Sequence, residues 1–183
     1  MAKLVSKTYG DALFELAVET NRLETIQEEV EAVMDVLKTN EDFIKLMGHP
    51  RISVEEKSSV LENVFKGKVS DELTGFLLTI ESKGRFYEIE RILTYFVDRV
   101  REYKKIGVAH VTSAMPLTDS EKKAVESRLL ETTSYVSFLM DYDVDSSLIG
   151  GMVIRIGDRV VDSSIKTKLN NMAKELSKVQ IKN

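Results

Sequence analysis

Apolar side chains recur every three or four residues through the first hundred positions of the chain. The positions are Val5, Tyr9, Ala12, Leu16; Leu23, Ile26, Val30, Val33, Leu37; Val60, Leu61, Val64, Phe65; Leu73, Phe76, Leu77, Ile80; and Ile89, Ile92, Leu93, Phe96, Val97, Val100. This spacing is typical of amphipathic helices that turn one face toward a core. The connections are short, which favours antiparallel neighbours. Residues 1–105 are therefore predicted to form an antiparallel bundle of about five or six helices.

The period changes after Gly107. Apolar and polar residues alternate strictly over 136–144 and again over 152–156, which predicts half-buried strands. Val108–Ser113 is a further short strand, and Gly157-Asp158 supplies a tight hairpin turn. A helical stripe closes the chain at Ile165, Leu169, Met172, Ala173 and Leu176. Residues 106–183 thus predict a small α+β domain of order β-α-β-β-β-α, and the whole chain is mainly α.

Helix starts are marked in both parts. Ser53 stands three residues before Glu56, and Thr118 three residues before Glu121. In a capping box each hydroxyl accepts a hydrogen bond from the later backbone N–H, while the glutamate accepts one from the earlier N–H. Two helices should therefore begin directly after Ser53 and Thr118.

Composition narrows the function classes. The 183 residues include no cysteine, and no apolar run is long enough for a membrane span. The first residues lack the uninterrupted apolar region of a signal peptide. Through Lys105 there are 16 basic and 20 acidic residues, and the remainder has 10 of each. Without a positive excess, the charge argues against nucleic acid as a partner. We expect a protein of the cytoplasm that does not insert into the membrane.

Candidate chemistry is sparse. His49 and His110 have no cysteine, second histidine or paired carboxylate nearby in the sequence. Asp141, Asp143 and Asp145 resemble the start of a calcium loop, but the required Gly and Glu are absent from its sixth and twelfth positions. The three carboxylates fit a solvated strand face or an acidic docking edge better. No phosphate-binding glycine motif occurs. The sequence predicts no catalytic residue, no cofactor and no metal site.

Two helices carry more apolar surface than one core-facing stripe requires. The first has Leu13, Phe14, Ala17 and Val18 besides its main stripe, and the fifth has Phe76, Leu77, Leu78 and Ile80 around Gly75 and Thr79. Small residues between large apolar ones form a groove in which a partner helix can lie. A helix buried completely in the bundle explains the same pattern, and the sequence leaves both interpretations open.

Several segments resemble one known family along essentially the whole chain. The opening helix YGDALFELA, the turn GRF at 84–86 and the segment VTSA-PL beginning at Val111 match it, and Val144–Leu169 is the most specific match. The chain differs at Gly10, where Ala is more usual, at Ser146, where Pro is common, and at Ser163, where Gly is common. On these residues the chain is similar to the delta subunit of F-type ATP synthases, the oligomycin sensitivity-conferring protein family.

The resemblance implies a non-catalytic stator subunit that resists rotor torque, so that proton-driven rotation is coupled to ATP synthesis. It implies that the N-terminal bundle binds the N-terminal helix of an alpha subunit. The C-terminal domain would bind the C-terminal end of the b subunit in the peripheral stalk. The protein would then lie peripherally on the cytoplasmic face of the cell membrane. Under this hypothesis Tyr9, Ala12, Phe76 and Thr79 line the alpha-binding groove. The competing hypothesis is a freestanding adaptor that binds another amphipathic helix.

Overall fold

A computed structural model describes residues 2–49 and 51–180. Contacts between Cα atoms divide the chain into two compact units, Met1–Arg101 and Glu102–Asn183. The prediction of a helical bundle followed by a small α+β domain is confirmed.

The first unit is built from helices. They are α1 (Ala2–Glu19), α2 (Leu23–Thr39), α3 (Glu41–Met47), α4 (Val54–Phe65), α5 (Asp71–Ser82) and α6 (Ile89–Tyr103), with a 3₁₀ turn at Phe86–Glu88 leading into α6. The predicted capping box at the start of α4 is confirmed, because the Glu56 N–H donates to Ser53 Oγ at 3.2 Å and the Ser53 N–H donates to Glu56 Oε2 at 3.1 Å. Gly84 has φ +64° in the turn after α5, a left-handed conformation that glycine adopts without strain.

One hydrophobic core fills this unit. All six helices contribute fully buried side chains to it. Among them are Leu13, Ile26, Met47, Leu61, Leu73, Leu77, Ile80, Ile92, Leu93 and Phe96. The stripe expected for the first helix is wrong at one position, because Ala12 is exposed whereas Leu13 and Ala17 are buried. Ser6 and Gly10 complete the buried side of α1, so small residues, rather than only large apolar ones, face the bundle there.

The second unit holds a four-stranded mixed sheet. Its elements are β1 (Ile106–Ser113), α7 (Asp119–Thr132), β2 (Ser137–Val144), a 3₁₀ turn at Ser146–Leu148, β3 (Met152–Ile156), β4 (Arg159–Asp162) and α8 (Ile165–Gln180). The strand order is β2-β1-β3-β4. β1 and β2 are parallel, and α7 makes the crossover that a parallel pair requires. The other two pairings are antiparallel.

The core of the second unit is small. Ala109, Leu129 and Phe138 are buried at its centre, and Val125, Leu130, Met140, Ile154 and Ile156 pack against them. The core therefore lies between α7 and one face of the sheet. The predicted capping box at Thr118 is confirmed, since Glu121 Oε2 accepts from the Thr118 N–H at 2.8 Å and the Glu121 N–H donates to Thr118 Oγ1. The Thr118 N–H and the Thr118 hydroxyl both donate to the Glu121 carboxylate, and these two hydrogen bonds keep the pKa of Glu121 below its usual value.

Candidate partner-binding surfaces

The position of α1 is set by its contact with α6. A Cβ atom added at Gly10 would lie 2.4 Å from Tyr95 Cδ1, so the aromatic ring rests directly on the glycine. The Tyr95 hydroxyl donates to Asp11 Oδ1 at 3.0 Å, and the Arg99 guanidinium lies 5.4 Å above the Phe14 ring. These contacts fix which side of α1 faces α6.

The opposite side of α1 is open. Ala12 and Leu4 are exposed, Leu4 at 70%, and Thr8 stands between them at helical spacing. Tyr9 is half-buried and packs against the core of the unit. Val18, near the end of the helix, is also exposed. Sequence reasoning proposed Tyr9 and Ala12 for a partner surface and missed Leu4, whose outward position depends on the rotation of α1 about its axis.

The outer side of α5 carries small residues. Thr79 is exposed, and its hydroxyl donates to the Gly75 carbonyl oxygen at 2.8 Å. A Cβ atom at Gly75 would meet nothing within 4 Å. Phe76 is half-buried and packs against the core, while Leu77 and Ile80 are fully buried on the inner side. The outer side of α5 is thus a shallow strip of small residues bordered by an aromatic ring.

A side-chain contact joins the segment after α1 to the start of α5. Arg22, just after α1, donates from Nη1 to Glu72 Oε1 at 2.7 Å in the first turn of α5. A backbone hydrogen bond and this guanidinium hold the pKa of Glu72 below its usual value. The end of α1 therefore lies beside the start of α5. At 1.5 Å per residue, Phe76 is about 6 Å along α5 from this junction and Tyr9 about 20 Å along α1.

The structure places the four predicted residues on two helices, Phe76 and Thr79 on α5 and Tyr9 and Ala12 on α1. Counted along each helix from the Arg22–Glu72 contact, the α5 residues lie nearer to it than the α1 residues. Val18, also on α1, lies closer to this contact than Ala12, and its side chain is exposed.

The inner side of α5 also contains a buried ion pair. Lys57 Nζ of α4 lies 3.5 Å from Glu81 Oε1, and their side chains are 12% and 3% exposed. Elsewhere in the first unit, an apolar depression of about 270 Å³ is lined by Val36, Asn40, Phe43 and Val64.

In the second unit, α8 turns its apolar residues to solvent. Ile165, Leu169, Met172 and Leu176 are all exposed, Leu176 at 69%. The start of the helix is firmly fixed: Ser164 Oγ accepts from the Thr167 N–H, and Asp162 accepts from the Ser164 N–H and the Thr167 hydroxyl. The hydrogen bonds from Ser164, followed by that from Thr167, lower the pKa of Asp162.

The histidine and aspartate side chains considered for metal binding or catalysis make local hydrogen bonds. His110 Nδ1 lies 2.9 Å from Asp141 Oδ2, because the parallel register places these residues opposite each other. Sequence reasoning missed this contact, which depends on strand order. Asp143 accepts from the adjacent Val144 N–H and Asp145 from the Ser147 N–H. Among residues 2–49 and 51–180, no three His, Cys, Asp or Glu side chains are placed to hold a metal ion.

Comparison with known proteins decides the family. The model of the family described as "ATP synthase delta (OSCP) subunit" matches residues 5–176. The chain belongs to this family. It is 55% identical over 181 residues to ATP synthase subunit delta of Lachnoclostridium phytofermentans, covering 99% of this chain and 100% of the relative. It is 33% identical to the subunit of the same name from Brevibacillus brevis, over 96% of this chain and 99% of the relative.

A solved structure has the same fold. The match is to a chain in the cryo-EM structure of the Toxoplasma gondii mitochondrial ATP synthase hexamer, with a TM-score of 0.70 and 24% sequence identity, covering 93% of this chain and 96% of that chain. In the part of this delta (OSCP) family member that the structure describes, no helix has the length and apolar character to cross a bilayer.

The positions at which this delta-family sequence departs from the expected motif have local explanations. Gly10 is required by the Tyr95 ring above it. Ser146 opens the 3₁₀ turn that follows Asp145. Ser163 Oγ donates to the Met152 carbonyl oxygen at 2.8 Å and so links the segment between β4 and α8 to the start of β3.

Proposed function

We propose that this ATP synthase delta (OSCP) family member is the non-catalytic stator subunit that joins the catalytic head to the peripheral stalk. In this role α1 and α5 bind the N-terminal helix of an alpha subunit, and the second unit binds the C-terminal end of the b subunit. The protein lies peripherally at the cytoplasmic face of the membrane. It resists the torque of the rotor, so that proton-driven rotation is converted into ATP synthesis.

Binding of the alpha subunit is supported by the difference between the inner and outer sides of α1 and α5. Each helix has a fully buried inner side in a complete core and, on its outer side, exposed small or apolar residues such as Ala12 and Thr79. The interpretation of α1 as a completely buried helix does not fit the exposure of Leu4 and Ala12. An amphipathic helix laid across such a surface buries roughly 1,200–2,000 Å² in total, enough for stable binding when the anchors pack well.

Ala12→Asp tests this placement. An aspartate in a desolvated apolar interface leaves a charge without a partner, which costs about 3 kcal/mol or more and weakens binding at least about 100-fold. We expect calorimetric titration with a peptide from the alpha-subunit N-terminus to show one-to-one binding at or below about 1 µM for the unmodified protein. A negative heat-capacity change would report burial of apolar surface. The Ala12→Asp variant should bind far more weakly.

Ala32→Asp is the matched control, because Ala32 is an exposed position on α2. Both variants should keep the helical circular dichroism of the parent protein. Equal affinities of the Ala12→Asp and Ala32→Asp variants for the alpha peptide would remove Ala12 from the interface. A freestanding adaptor would bind neither alpha nor b, and affinity purification from membranes that contain the synthase separates it from a stator.

A further inference from the structure

Beyond its first turn, α8 is not packed against the rest of the second unit. Every residue over 168–177 is exposed. The large apolar side chains of this stretch, each more than half exposed, are Leu169, Met172 and Leu176. Among its described residues, the one side-chain hydrogen bond joins Ser177 to the Ala173 carbonyl oxygen within the helix itself. Helices in proteins owe most of their stability to the burial of one face, and this stretch lacks that contribution.

The first turn of α8, in contrast, is anchored to the unit. The Ile165 N–H donates to the Gly150 carbonyl oxygen at 2.9 Å. Ser164 is 1% exposed, and its hydroxyl caps the helix by accepting from the Thr167 N–H at 3.2 Å. Starting a helix is its unfavourable step, whereas each later residue adds a hydrogen bond for one residue fixed. The second unit therefore supplies a preformed helix nucleus.

The sequence after this nucleus favours a helix only weakly. Asn170 and Asn171 stand side by side, and asparagine is among the poorer helix formers. The first turn contains no acidic residue, and Lys166 and Lys168 place positive charge where the helix dipole is already positive. Without tertiary packing, helices shorter than about 12–15 residues are marginal in water even when they are rich in alanine. Helix and coil are therefore close in free energy over this stretch.

The other helix of the second unit shows what packing adds. α7 also begins at a hydroxyl cap, Thr118, but Leu129 is buried against the sheet, and Val125 and Leu130 pack into the same core. Unfolding of α7 would expose this core, so α7 belongs to the cooperative fold. Unfolding of residues 168–177 would expose no side chain that is buried in the structure.

We propose that α8 beyond Thr167 exchanges between helix and coil in the free chain, on a nucleus that stays folded. The complete helix is one state of this equilibrium and is reached by adding residues to an existing turn. An interaction that requires the complete helix has an apparent affinity reduced in proportion to the helical population. The inference concerns the free chain and does not rest on the proposed function.

Hydrogen exchange of the free, full-length protein tests the proposal at single amides. We expect the amides of residues 170–180 to exchange within about tenfold of the rate of an unstructured chain, because they open without unfolding of the unit. The amides around Leu129 of α7 should be protected at least about 100-fold more strongly. Equal protection of α7 and α8 would overturn the proposal.

Two substitutions at one exposed position give an independent test. Alanine and glycine differ about fivefold in the equilibrium constant for extending a helix. Asn171→Ala should therefore raise the helical fraction of α8, measured by backbone chemical shifts, and Asn171→Gly should lower it. Neither variant should change the melting temperature of the second unit, because this stretch buries nothing.

Ala124→Gly is the matched control, at an exposed position of the packed helix α7. It should lower the melting temperature of the second unit by about 4–8 °C. If Asn171→Gly lowered the melting temperature as much as Ala124→Gly, α8 would be part of the cooperative fold and the proposal would be wrong. A helical fraction that was the same in the Asn171→Ala and Asn171→Gly variants would also refute it.

Discussion

Replacing Lys57 by methionine should destabilise the first unit markedly. The Glu81 carboxylate is 3% exposed and lies 3.5 Å from Lys57 Nζ. At that separation and an effective dielectric constant of about 20, the attraction is about 5 kcal/mol, and it offsets the cost of removing both charges from water. Lys57→Met keeps the long apolar stem and removes the charge. Because Glu81 then remains buried without its partner, we expect a loss of about 3 kcal/mol.

The double variant gives the sharper comparison. Lys57→Met combined with Glu81→Leu removes both charges and leaves an apolar contact of similar volume, so its stability should lie close to that of the parent. Lys38→Met is the control for the single change, because Lys38 and Asp35 form an exposed pair at 3.9 Å. Exposed pairs contribute at most about 1 kcal/mol. The coupling energy follows from the complete double-mutant cycle.

The assay must report on the first unit alone, since two compact units need not unfold together. Hydrogen exchange of peptides from α4 and α5, followed against urea concentration, meets this requirement. A loss of about 3 kcal/mol corresponds to a fall of ~12 °C or more in the melting temperature of a unit of this size. The reasoning is refuted if Lys57→Met costs no more than Lys38→Met, or if the double variant is as unstable as the Lys57 single variant.

Two further predictions concern backbone packing and pH. Gly10→Ala should destabilise the first unit by about 1–2 kcal/mol in urea denaturation, because its Cβ would meet the Tyr95 ring. Gly75→Ala should stabilise it by about 0.5–1 kcal/mol, since alanine favours the helix and the site is open. If both substitutions changed the free energy of unfolding in the same direction, the contrast between the packed Gly10 site and the open Gly75 site would be wrong. The pKa values of Asp145 and Asp162 are lowered, chiefly by hydrogen bonds from Ser147 and Ser164 respectively. Their contribution to stability is therefore complete above the ordinary carboxyl pKa and is lost as the pH falls through the lowered values, below about pH 4. Asp162→Asn should flatten this acid branch in pH-dependent melting of the second unit, and an unaltered branch would argue against the assignment.

Local signals predicted much of the fold. The α6 stripe from Ile89 to Val100 and both capping boxes depend on spacing within one segment, and the structure confirms them. The order of strands and helices in the second unit is likewise confirmed. Such features can be predicted without knowing the tertiary contacts, because a helical period or a capping box involves only residues close together in the sequence.

Other features depended on contacts between distant segments. The sequence pattern places Ala12 in the inner stripe of α1, whereas in the structure Gly10 packs against the Tyr95 ring, Leu13 is buried and Ala12 is exposed. The pairing of His110 with Asp141 follows from the parallel register of β1 and β2. The apolar stripe of α8 was visible in the sequence, but its exposure was not, because periodicity shows a face and not what covers it.

The sheet of the second unit has two edge strands, β2 and β4, that differ in character. β2 carries Asp141 and Asp143, whereas β4 has only four residues, all exposed, with Val160 and Val161 at its centre. Acidic side chains discourage the addition of foreign strands by repulsion, and a short edge discourages it by offering few hydrogen bonds. Protection at β2 rests chiefly on charge, so protonation of its carboxylates or screening by salt weakens it more than the protection that the shortness of β4 gives. Solubility of the free protein during assembly should therefore be limited first at β2, with amyloid-like association appearing in acidic, high-salt solution before it appears at neutral pH.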